Sequence, residues 1–128
     1  MPTMPTMPID GQHEAPQLTA GPLAGVRVLD LSANAGRFAT KLFAELGADV
    51  VRMRGGDPGP AMAKVGGGLL DWWFDGATSK LALDLDDATG RATLRELIRS
   101  ADILLESEDP KHREELGLGH DELAALNP

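Results

Sequence analysis

The sequence predicts an α/β protein built on a parallel, doubly wound sheet. The main observation is a strand–helix–strand pattern between Val26 and Met53. Two buried strands joined by an amphipathic helix within about 30 residues form a βαβ unit, whose strands run parallel. Two more apolar, strand-like segments follow a glycine- and proline-rich connection, with a second amphipathic helix between them.

The first strand is predicted over residues 26–31, which are apolar, β-branched at two positions and too few for a globular helix. The helix that follows is predicted over 36–46, because apolar residues recur there at helical spacing and form one stripe. The stripe consists of Ala39, Leu42, Phe43 and Leu46. Gly47 occupies a position where helices commonly end in the left-handed conformation, and the second strand is predicted over 49–53.

The connection after the second strand is rich in glycine and proline and longer than a structural link requires. Such length is typical of functional or mobile loops. Within it, residues 69–74 are apolar and contain the adjacent pair Trp72 and Trp73. Two interpretations remain open: one tryptophan fills the core or contacts a partner surface, or a tryptophan stacks on a ligand.

The third strand is predicted over 80–85 and the fourth over 102–106, with a helix over 88–100 between them. Asp86 or Asp87 is expected to cap this helix. Its buried stripe is predicted to contain Leu94, Leu97, Ile98 and Ala101. The basic residues on its other face are expected to be solvated: Arg91 and Arg95.

The remaining segments complete the predicted organisation. A brief helix is expected over 110–116, and residues 117–128 predict a turn with one or two further helical turns. Residues 1–21 show no apolar periodicity and are predicted to be a disordered leader, so residues 22–128 form the α/β domain. Four strands are about half of a typical doubly wound domain, and the chain is therefore predicted to be part of a larger unit.

Composition excludes several classes of function. The chain has no cysteine, which excludes disulfides and thiolate chemistry. Its net charge of −8 is uneven, since residues 22–83 carry seven basic and six acidic side chains and residues 84–128 carry five and twelve. Nucleic acid is not expected as a partner, because a phosphate backbone needs a positive face. No apolar run reaches the roughly 20 residues of a membrane span, and a signal peptide is not recognisable, so a cytoplasmic location is the default expectation.

The loop after the first strand is the main candidate binding site. Ligands of open α/β sheets bind beyond the carboxyl ends of the strands, and residues 32–36 lie there, ahead of a helix whose free N–H groups favour an anion. Arg52 and Arg54 end the second strand on one shared face and could clamp a phosphate. The alternatives are tight helix packing for the small loop residues and simple solvation for the arginines. The glycine fingerprint of dinucleotide-binding proteins is absent.

No set of nucleophile, base and acid is recognisable, so no catalytic residue is assigned. Asp30 and Asp84 each follow strand residues and could be buried carboxylates with a raised pKa, although capping or loop hydrogen bonds are commoner. Two histidines are expected on exposed helix ends: His112 and His120. An acidic cluster after the fourth strand lacks the spacing of a metal site and is expected to be a solvated loop. It contains Glu106, Glu108 and Asp109.

A series of short motifs occurs along the chain from Pro22 to Pro128. The series consists of Pro22–Ser32, Ala35-Gly36, Ala39-Thr40, Leu46–Val51, Gly56-Asp57, Leu83–Leu85, Gly90-Arg91, Ala101-Asp102 and Leu116–Gly119. In its order and approximate spacing this series resembles the amino-terminal part of the family III CoA-transferases. That family contains formyl-CoA transferase, carnitine CoA-transferase and α-methylacyl-CoA racemase.

The resemblance implies a Rossmann-like large domain assembled from both chain ends, of which this chain would supply the amino-terminal half. It also implies interlocked dimers that move CoA from an acyl-CoA to a carboxylate acid through an aspartyl-CoA thioester. The catalytic aspartate of the family lies downstream of the matching segment, so no aspartate of this chain inherits that role. The residues expected to contact coenzyme A are Asn34, Ala35, Gly36 and Arg54. A second copy or a partner chain would complete the fold.

Several positions depart from the family's pattern. The loop after the first strand is one residue shorter, and Arg37 stands in place of a proline. Arg52-Met53-Arg54 replaces Lys-Val-Glu, and residues 75–80 replace an Asn-Arg-x-Lys-Arg-Ser stretch. After the fourth strand, Glu106-Ser107-Glu108 replaces a Glu-Asn-Phe stretch that lines the CoA site. An acidic side chain at that point repels phosphates.

These departures affect ligand positions and leave packing positions intact, and they support two hypotheses. In the first, the chain is the CoA-binding half-domain of a family III CoA-transferase, inactive alone and with CoA binding weak or lost. In the second, it is a degenerate, non-catalytic scaffold or subunit module of the same fold. The sequence does not distinguish the acyl group or the acceptor.

Overall fold

A computed structural model of the protein describes residues 21–54 and 65–128, and in these residues four strands form one sheet. The strands are β1 (Arg27–Asp30), β2 (Asp49–Arg54), β3 (Ser79–Ala82) and β4 (Ile103–Leu105). Their order is β3–β2–β1–β4, and every pairing is parallel. The prediction of a parallel α/β sheet is therefore confirmed. Of the predicted leader, only Gly21 lies within the described residues.

Helices flank the sheet. They are α1 (Arg37–Glu45), α2 (Leu69–Asp75), α3 (Ala88–Arg99), α4 (Pro110–Glu115) and α5 (His120–Leu126). The turn after α1 contains Gly47 with φ +95°, which confirms the predicted left-handed helix end. Asp87 is the residue that caps α3, since its carboxylate accepts a hydrogen bond from the N–H of Thr89 at 3.0 Å. None of the helices in the described ranges is long and apolar enough to cross a membrane.

The third strand ends at Ala82, three residues before its predicted end. The chain turns because the N–H of Asp86 donates to the carboxylate of Asp84, at 2.9 Å. Gly90 then packs against this turn so tightly that a Cβ there would lie 1.8 Å from the carbonyl oxygen of Asp84. The close approach of α3 to the turn replaces the last part of the predicted strand.

The expected solvation of two arginines on α3 is confirmed for one of them and wrong for the other. Arg95 is exposed. Arg91 is half-buried and donates to the carbonyl oxygens of Leu85 and Asp86, at 2.8 and 3.0 Å. These carbonyls have no strand partner in the turn, so the guanidinium satisfies backbone groups that would otherwise be left unpaired.

The core lies on both faces of the sheet. On one face, β1 and β2 pack against α3, α5 and the segment before α5; the buried residues are Leu29, Met53, Leu94, Ile98, Ala101 and Leu118. On the other face, the strands pack against α1; the buried residues are Val28, Ala44, Ala48 and Val50. Successive residues of β1 thus point to opposite faces, as in any strand buried on both sides. The buried stripe predicted for α3 is confirmed, with Leu97 half-buried at its edge.

The buried stripe predicted for α1 is wrong in its phase. The buried residues of this helix are Arg37, Thr40 and Ala44. Leu42 and Leu46 are instead 43% and 44% exposed, whereas Phe43 is half-buried and packs against the core. The inward face meets the charged end of the sheet described below, so Arg37 and Thr40 occupy inward positions that the predicted stripe did not include.

Candidate functional site

The carboxyl ends of β1 and β4 lie side by side, and the loops that follow them contact each other. The N–H of Leu31 donates to the carbonyl oxygen of Leu105 at 2.8 Å, and the N–H of Ala33 donates to the hydroxyl of Ser107 at 2.9 Å. From β1 the chain continues to β2 on one side, and β4 lies on the other side of β1. Open α/β sheets bind ligands at such a point, beyond the carboxyl ends of the two neighbouring strands. The loop 32–36 predicted from the sequence lies there.

The four residues predicted to contact coenzyme A lie at this edge of the sheet. Asn34, Ala35 and Gly36 form a short 3₁₀ turn between β1 and α1, and Arg54 is the last residue of β2. Ala35 is exposed, so a ligand can reach it. The side chains of Asn34 and Arg54 lie outside the described part of the structure, so for these residues only the backbone position is described.

Gly36 has a packing reason to be glycine. A Cβ at this position would lie 1.8 Å from the hydroxyl oxygen and 2.5 Å from the Cβ of Ser32. The start and the end of the loop are therefore in direct contact, and no larger residue fits. This contact matches the packing alternative weighed for the small residues of the loop, and ligand contact by Gly36 remains a proposal.

Asp30, at the end of β1, is the polar centre of the loop. Its side chain is fully buried. One carboxylate oxygen accepts from the backbone N–H of Ser32 at 2.8 Å and from its hydroxyl at 2.5 Å. The other accepts from the hydroxyl of Thr40 on α1 at 2.6 Å. Of the two carboxylates considered from the sequence, Asp30 is thus buried and Asp84 is exposed.

Among the described side chains, Asp30 and five other ionisable residues form a charged layer between the sheet and helices α1 and α2. Its members are Asp30, Arg37, Arg52, Asp71, Asp75 and Lys80. The strand register places Asp30, Arg52 and Lys80 in one row across β1, β2 and β3. Because residues paired across neighbouring strands share a face, this row continues the α1 face above its apolar core.

Asp75 is the acidic centre of the charged layer. One of its carboxylate oxygens lies 2.9 Å from the guanidinium of Arg37 and 3.4 Å from the Nζ of Lys80. The other lies 3.6 Å from Arg52, which is also 3.4 Å from Asp30. Arg37 makes a further ion pair of 2.7 Å with Asp71. The layer contains three cations and three carboxylates, so its formal charges balance.

Two arginines are buried in the charged layer. Arg52 was considered as part of a phosphate clamp or as a solvated residue, but its side chain is only 11% exposed and faces aspartates, and the side chain of Arg37 is only 4% exposed and does the same. Burial disfavours the charged form of Arg37, yet the hydrogen bond to Asp71 and the charge of Asp75 outweigh it and raise the pKa of Arg37. Both cations are thus committed to internal partners, and neither is free to clamp a ligand.

The loop after β4 carries the acidic residues that depart from the family pattern. Glu106 is half-buried and pairs with Arg113 of α4 at 3.1 Å. Asp109 caps α4 by accepting from the N–H of Lys111 at 3.0 Å. Glu108 is exposed, and its carboxylate lies 3.9 Å from exposed His112. In the two described segments, 21–54 and 65–128, no three His, Asp or Glu side chains are arranged to hold a metal ion.

The two tryptophans form a surface with α1. Trp72 and Trp73 lie on α2 and are 65% and 45% exposed, so the interpretation that one of them fills the core is wrong. Trp73 stacks on Phe38 with 6.5 Å between ring centroids, and the Nζ of Lys41 lies 4.6 Å from the centre of the Trp73 ring. The large exposed apolar residues here, which we name the aromatic surface, are Phe38, Leu42, Leu69, Trp72 and Trp73.

Sequence reasoning missed the polar groups that organise this edge. Thr40 was named only as part of the motif Ala39-Thr40, and no role was assigned to Asp71 or Asp75. One signal was available: Asp30 is two residues from buried Val28 and so shares its inward face. An inward carboxylate requires donors from a neighbouring element, and a threonine on the following helix is a suitable one.

A cavity of about 430 Å³ lies elsewhere, beside the start of β4 and the ends of α3 and α5. Its lining includes Ser100, Asp102 and Asn127. It is at the amino end of the strand, away from the edge where parallel sheets bind ligands, so the carboxyl edge remains the candidate site.

Comparison with known proteins identifies relatives over nearly the whole described domain. Succinyl-CoA–D-citramalate CoA-transferase of Chloroflexus aurantiacus is 39% identical over 114 residues, which cover 84% of this chain and 28% of the relative. The beta subunit of succinyl-CoA–L-malate CoA-transferase from the same organism is 34% identical over 117 residues, covering 86% and 29%. The chain spans less than a third of the length of these relatives.

Solved structures agree with this result. The crystal structure of Rv3272 from M. tuberculosis superposes with a TM-score of 0.71 at 32% identity, over 85% of this chain and 31% of that one. A CAIB/BAIF family protein from Brucella suis, at 24% identity, shares the fold with a TM-score of 0.73 over 84% and 31% of the two chains. The sequence profile described as CoA-transferase family III matches residues 23–128. Because this match and relatives above 30% identity both span most of the chain, the protein belongs to the CoA-transferase family III.

Proposed function

We propose that the chain is the amino-terminal, CoA-binding part of a CoA-transferase that moves CoA between an acyl-CoA and a carboxylate acid. The observation that carries the proposal is the exposed loop between β1 and α1, which lies at the ligand-binding edge of a sheet with the family's fold. Among the relatives, two are named for CoA transfer between succinyl-CoA and citramalate or malate, and a third is named for succinate and glutarate. Acyl-CoA and a dicarboxylic acid are accordingly the first substrates to test.

In this proposal the chain supplies no catalytic residue. A nucleophilic carboxylate must reach the acyl carbon of the thioester, but Asp30 is fully buried and Asp75 nearly so. Both are engaged with cations in the charged layer. The aspartate that forms the aspartyl-CoA thioester would come from a part of the transferase that this chain does not contain.

The proposed contacts to coenzyme A are Asn34, Ala35, Gly36 and Arg54, and the binding is expected to be weak. The phosphates of CoA favour cationic groups and free backbone N–H groups. Arg37 and Arg52 are already neutralised by aspartates, while Glu108 lies in the adjoining loop. Losing two charge-assisted contacts of about 1.5–3 kcal/mol each weakens binding by at least two powers of ten. A dissociation constant in the millimolar range or above is therefore expected for the chain alone.

A second candidate function is a non-catalytic scaffold or subunit module. The neutralised arginines and the acidic loop after β4 favour it, because both oppose the binding of an anionic cofactor. The two candidates differ in one measurable respect: a CoA-binding half-domain retains a specific response to CoA at its β1–α1 loop, whereas a scaffold module does not.

Both candidates require association, and the aromatic surface is the proposed contact. Its five residues are 43–65% exposed, and large exposed apolar side chains mark candidate interaction sites. Within the described residues, β3 and β4 each pair on one side only, so their outer edges can also accept neighbours. The partner is a second copy or a chain that completes the fold.

The function is tested by incubating the chain with succinyl-CoA and each of citramalate, malate and glutarate. The chain alone is expected to leave the thioester unchanged. In parallel, an NMR titration with CoA up to several millimolar is expected to shift the amides of Ala33 to Gly36. Turnover above a blank without protein would contradict the assignment of the catalytic aspartate to another chain segment. Unshifted loop amides would favour the scaffold module over the CoA-binding half-domain.

Association is tested by sedimentation over a range of concentrations, with the Trp72→Ser variant as the comparison. Trp72 is the most exposed member of the aromatic surface, so its replacement should weaken association without changing the fold. A chain that stays monomeric throughout, and that is purified without a partner, would contradict the proposed contact.

A further inference from the structure

The loop between β1 and α1 takes its shape from one buried carboxylate. Asp30 accepts two hydrogen bonds from Ser32, at the start of the loop, and one from Thr40, in the first turns of α1. Burying an ionised carboxylate is costly unless it is paired and hydrogen-bonded. Arg52, 3.4 Å away, supplies the opposite charge, so the site is built to keep a charged carboxylate in this position.

Thr40 connects this carboxylate to the end of the loop. Its hydroxyl lies 2.6 Å from the carboxylate of Asp30 and 3.0 Å from the carbonyl oxygen of Gly36. A hydroxyl donates a single proton, and the shorter contact to a charged oxygen is the stronger bond. Gly36 in turn packs directly against Ser32. The start and the end of the loop are thus both positioned relative to Asp30.

Arg52 adds a third connection. Its guanidinium lies 3.4 Å from the carbonyl oxygen of Ser32 while it pairs with Asp30.

No part of this arrangement places Asp30 in contact with a ligand, because the side chain of Asp30 has no exposed surface. Any effect of Asp30 on binding is transmitted through the loop.

We propose that Asp30 is the positioning residue of the CoA-binding loop and that Thr40 is its partner on α1. The proposal rests on the proposed function, in which this loop contacts CoA. The N–H groups of Ser32, Ala33 and Gly36 already donate to Asp30, Ser107 and Ala33, so Asp30 acts by fixing the course of the loop backbone that faces the ligand. Recognition of the CoA phosphates then depends on the shape of the loop rather than on arginine.

The test uses Thr40, since replacing Asp30 would leave buried Arg52, among the described side chains, with only its 3.6 Å ion pair to Asp75. Thr40→Val removes the hydroxyl and keeps the shape of the side chain, whereas Thr40→Ser keeps the hydroxyl. Thr93→Val is the matched control: the hydroxyl of Thr93 donates to the carbonyl oxygen of Thr89 at 3.0 Å on α3, on the other face of the sheet. Amide hydrogen exchange of the loop and of β2 is measured by NMR, followed by titration with CoA.

In Thr40→Val, exchange of the amides of Ser32, Ala33 and Gly36 is expected to accelerate at least tenfold, which corresponds to about 1.4 kcal/mol. The amides of β2 should change much less. Thr40→Ser should remain within about twofold of the unmodified chain, as expected when the same hydrogen bond is restored. The shifts caused by CoA should diminish in Thr40→Val and persist in Thr40→Ser and Thr93→Val.

Loop exchange in Thr40→Val that matches the Thr93→Val control would overturn the positioning role. Equal acceleration in the loop and in β2 would also overturn it, because that pattern reports a general loss of stability. If exchange accelerates only in the loop while the CoA titration is unchanged, the positioning role holds and the proposed contact of this loop with CoA is contradicted. Should Thr40→Val fail to fold, Ser32→Ala, which removes one donor to Asp30, takes its place with the same criteria.

Discussion

The two faces of the sheet are held together by different interactions. On the α3 face, Leu29, Leu94 and Ile98 pack as an apolar core with little polar content. On the α1 face, the apolar cluster covers only part of the sheet, and the charged layer lies between the helices and the carboxyl edge. The difference shows that buried charged side chains are concentrated at the carboxyl edge on the α1 face, while the α3 face is packed mainly with apolar side chains.

These interactions also differ in how they respond to change. Removing an apolar side chain costs free energy in proportion to the area and cavity it leaves. Removing one member of a buried ion-pair network leaves its partners uncompensated, so the cost depends on the remaining members. The α3 face should therefore show graded effects, and the charged layer should show strongly coupled ones.

The largest effect is expected on the apolar face. Leu94 is 2% exposed and lies at the centre of the contact between α3 and the sheet. Leu94→Ala should lower the free energy of unfolding by about 2–5 kcal/mol, measured by urea denaturation. The control is Leu42→Ala on the exposed side of α1, which should cost about 0.5 kcal/mol or less. Similar losses for both variants would contradict the placement of the core.

A smaller loss is expected in the charged layer. Asp75 faces Arg37, Arg52 and Lys80, so Asp75→Asn should lower the free energy of unfolding by about 1.5–3 kcal/mol. Asp71→Asn is the matched control, because Asp71 is 38% exposed and, among the side chains that the structure describes, pairs with Arg37 alone. If the two variants lose equal stability, the layer is a set of separate pairs and not a network centred on Asp75.

The coupling of the layer is tested by combining Asp75→Asn with Arg52→Met. If the side chains act as a unit, the double variant should lose less stability than the sum of the single variants, by about 0.5–3 kcal/mol. Additive losses would show that Arg52 is held by Asp30 alone.

The two faces also differ in how well the sequence predicts them. The stripe of α3 was predicted correctly because every inward position is apolar and the helical period is unambiguous. On α1 the same reasoning selected Leu42 and Leu46, which are exposed. The hydrophobic pattern does not show which side of α1 faces the sheet. The inward side carries Arg37 and Thr40, and polar and apolar residues occur on both sides of the helix.

The candidate site shows the same limit. The carboxyl edge and the loop 32–36 follow from the βαβ pattern and the rule for open sheets, so the location of the site was predictable. The pairing of Arg37 with Asp71 joins residues 34 positions apart through an unpredicted helix. Sequence spacing gives no information about such a pair, so the burial of Arg37 and Arg52 against aspartates was not predicted.

A smaller effect is expected in the acidic loop after β4. Replacing exposed Glu108 by phenylalanine removes one negative charge near the proposed CoA site. Exposed pairs of charges interact by about 0.2–1 kcal/mol, so Glu108→Phe should strengthen CoA binding by about twofold to fivefold. Glu96→Phe, on the exposed side of α3, is the control. Calorimetric or NMR titration that shows no difference between the two variants would mean that this loop does not face the cofactor.

The smallest effect is expected at the start of α3. It tests whether a charged side chain contributes to the stability of the helix that covers the apolar face. Hydrogen bonds from the side chain and backbone of Thr89 lower the pKa of Asp87 below its ordinary value of 3.8. A lowered pKa in the folded state means that the contribution to stability is complete above 3.8 and is lost as the pH falls through the folded-state value. In Asp87→Ala, the unfolding midpoint should therefore fall relative to the unmodified chain at pH 6, and the difference should shrink as the pH falls below 3.8. A difference that persists unchanged at low pH would show that the cap acts without its charge.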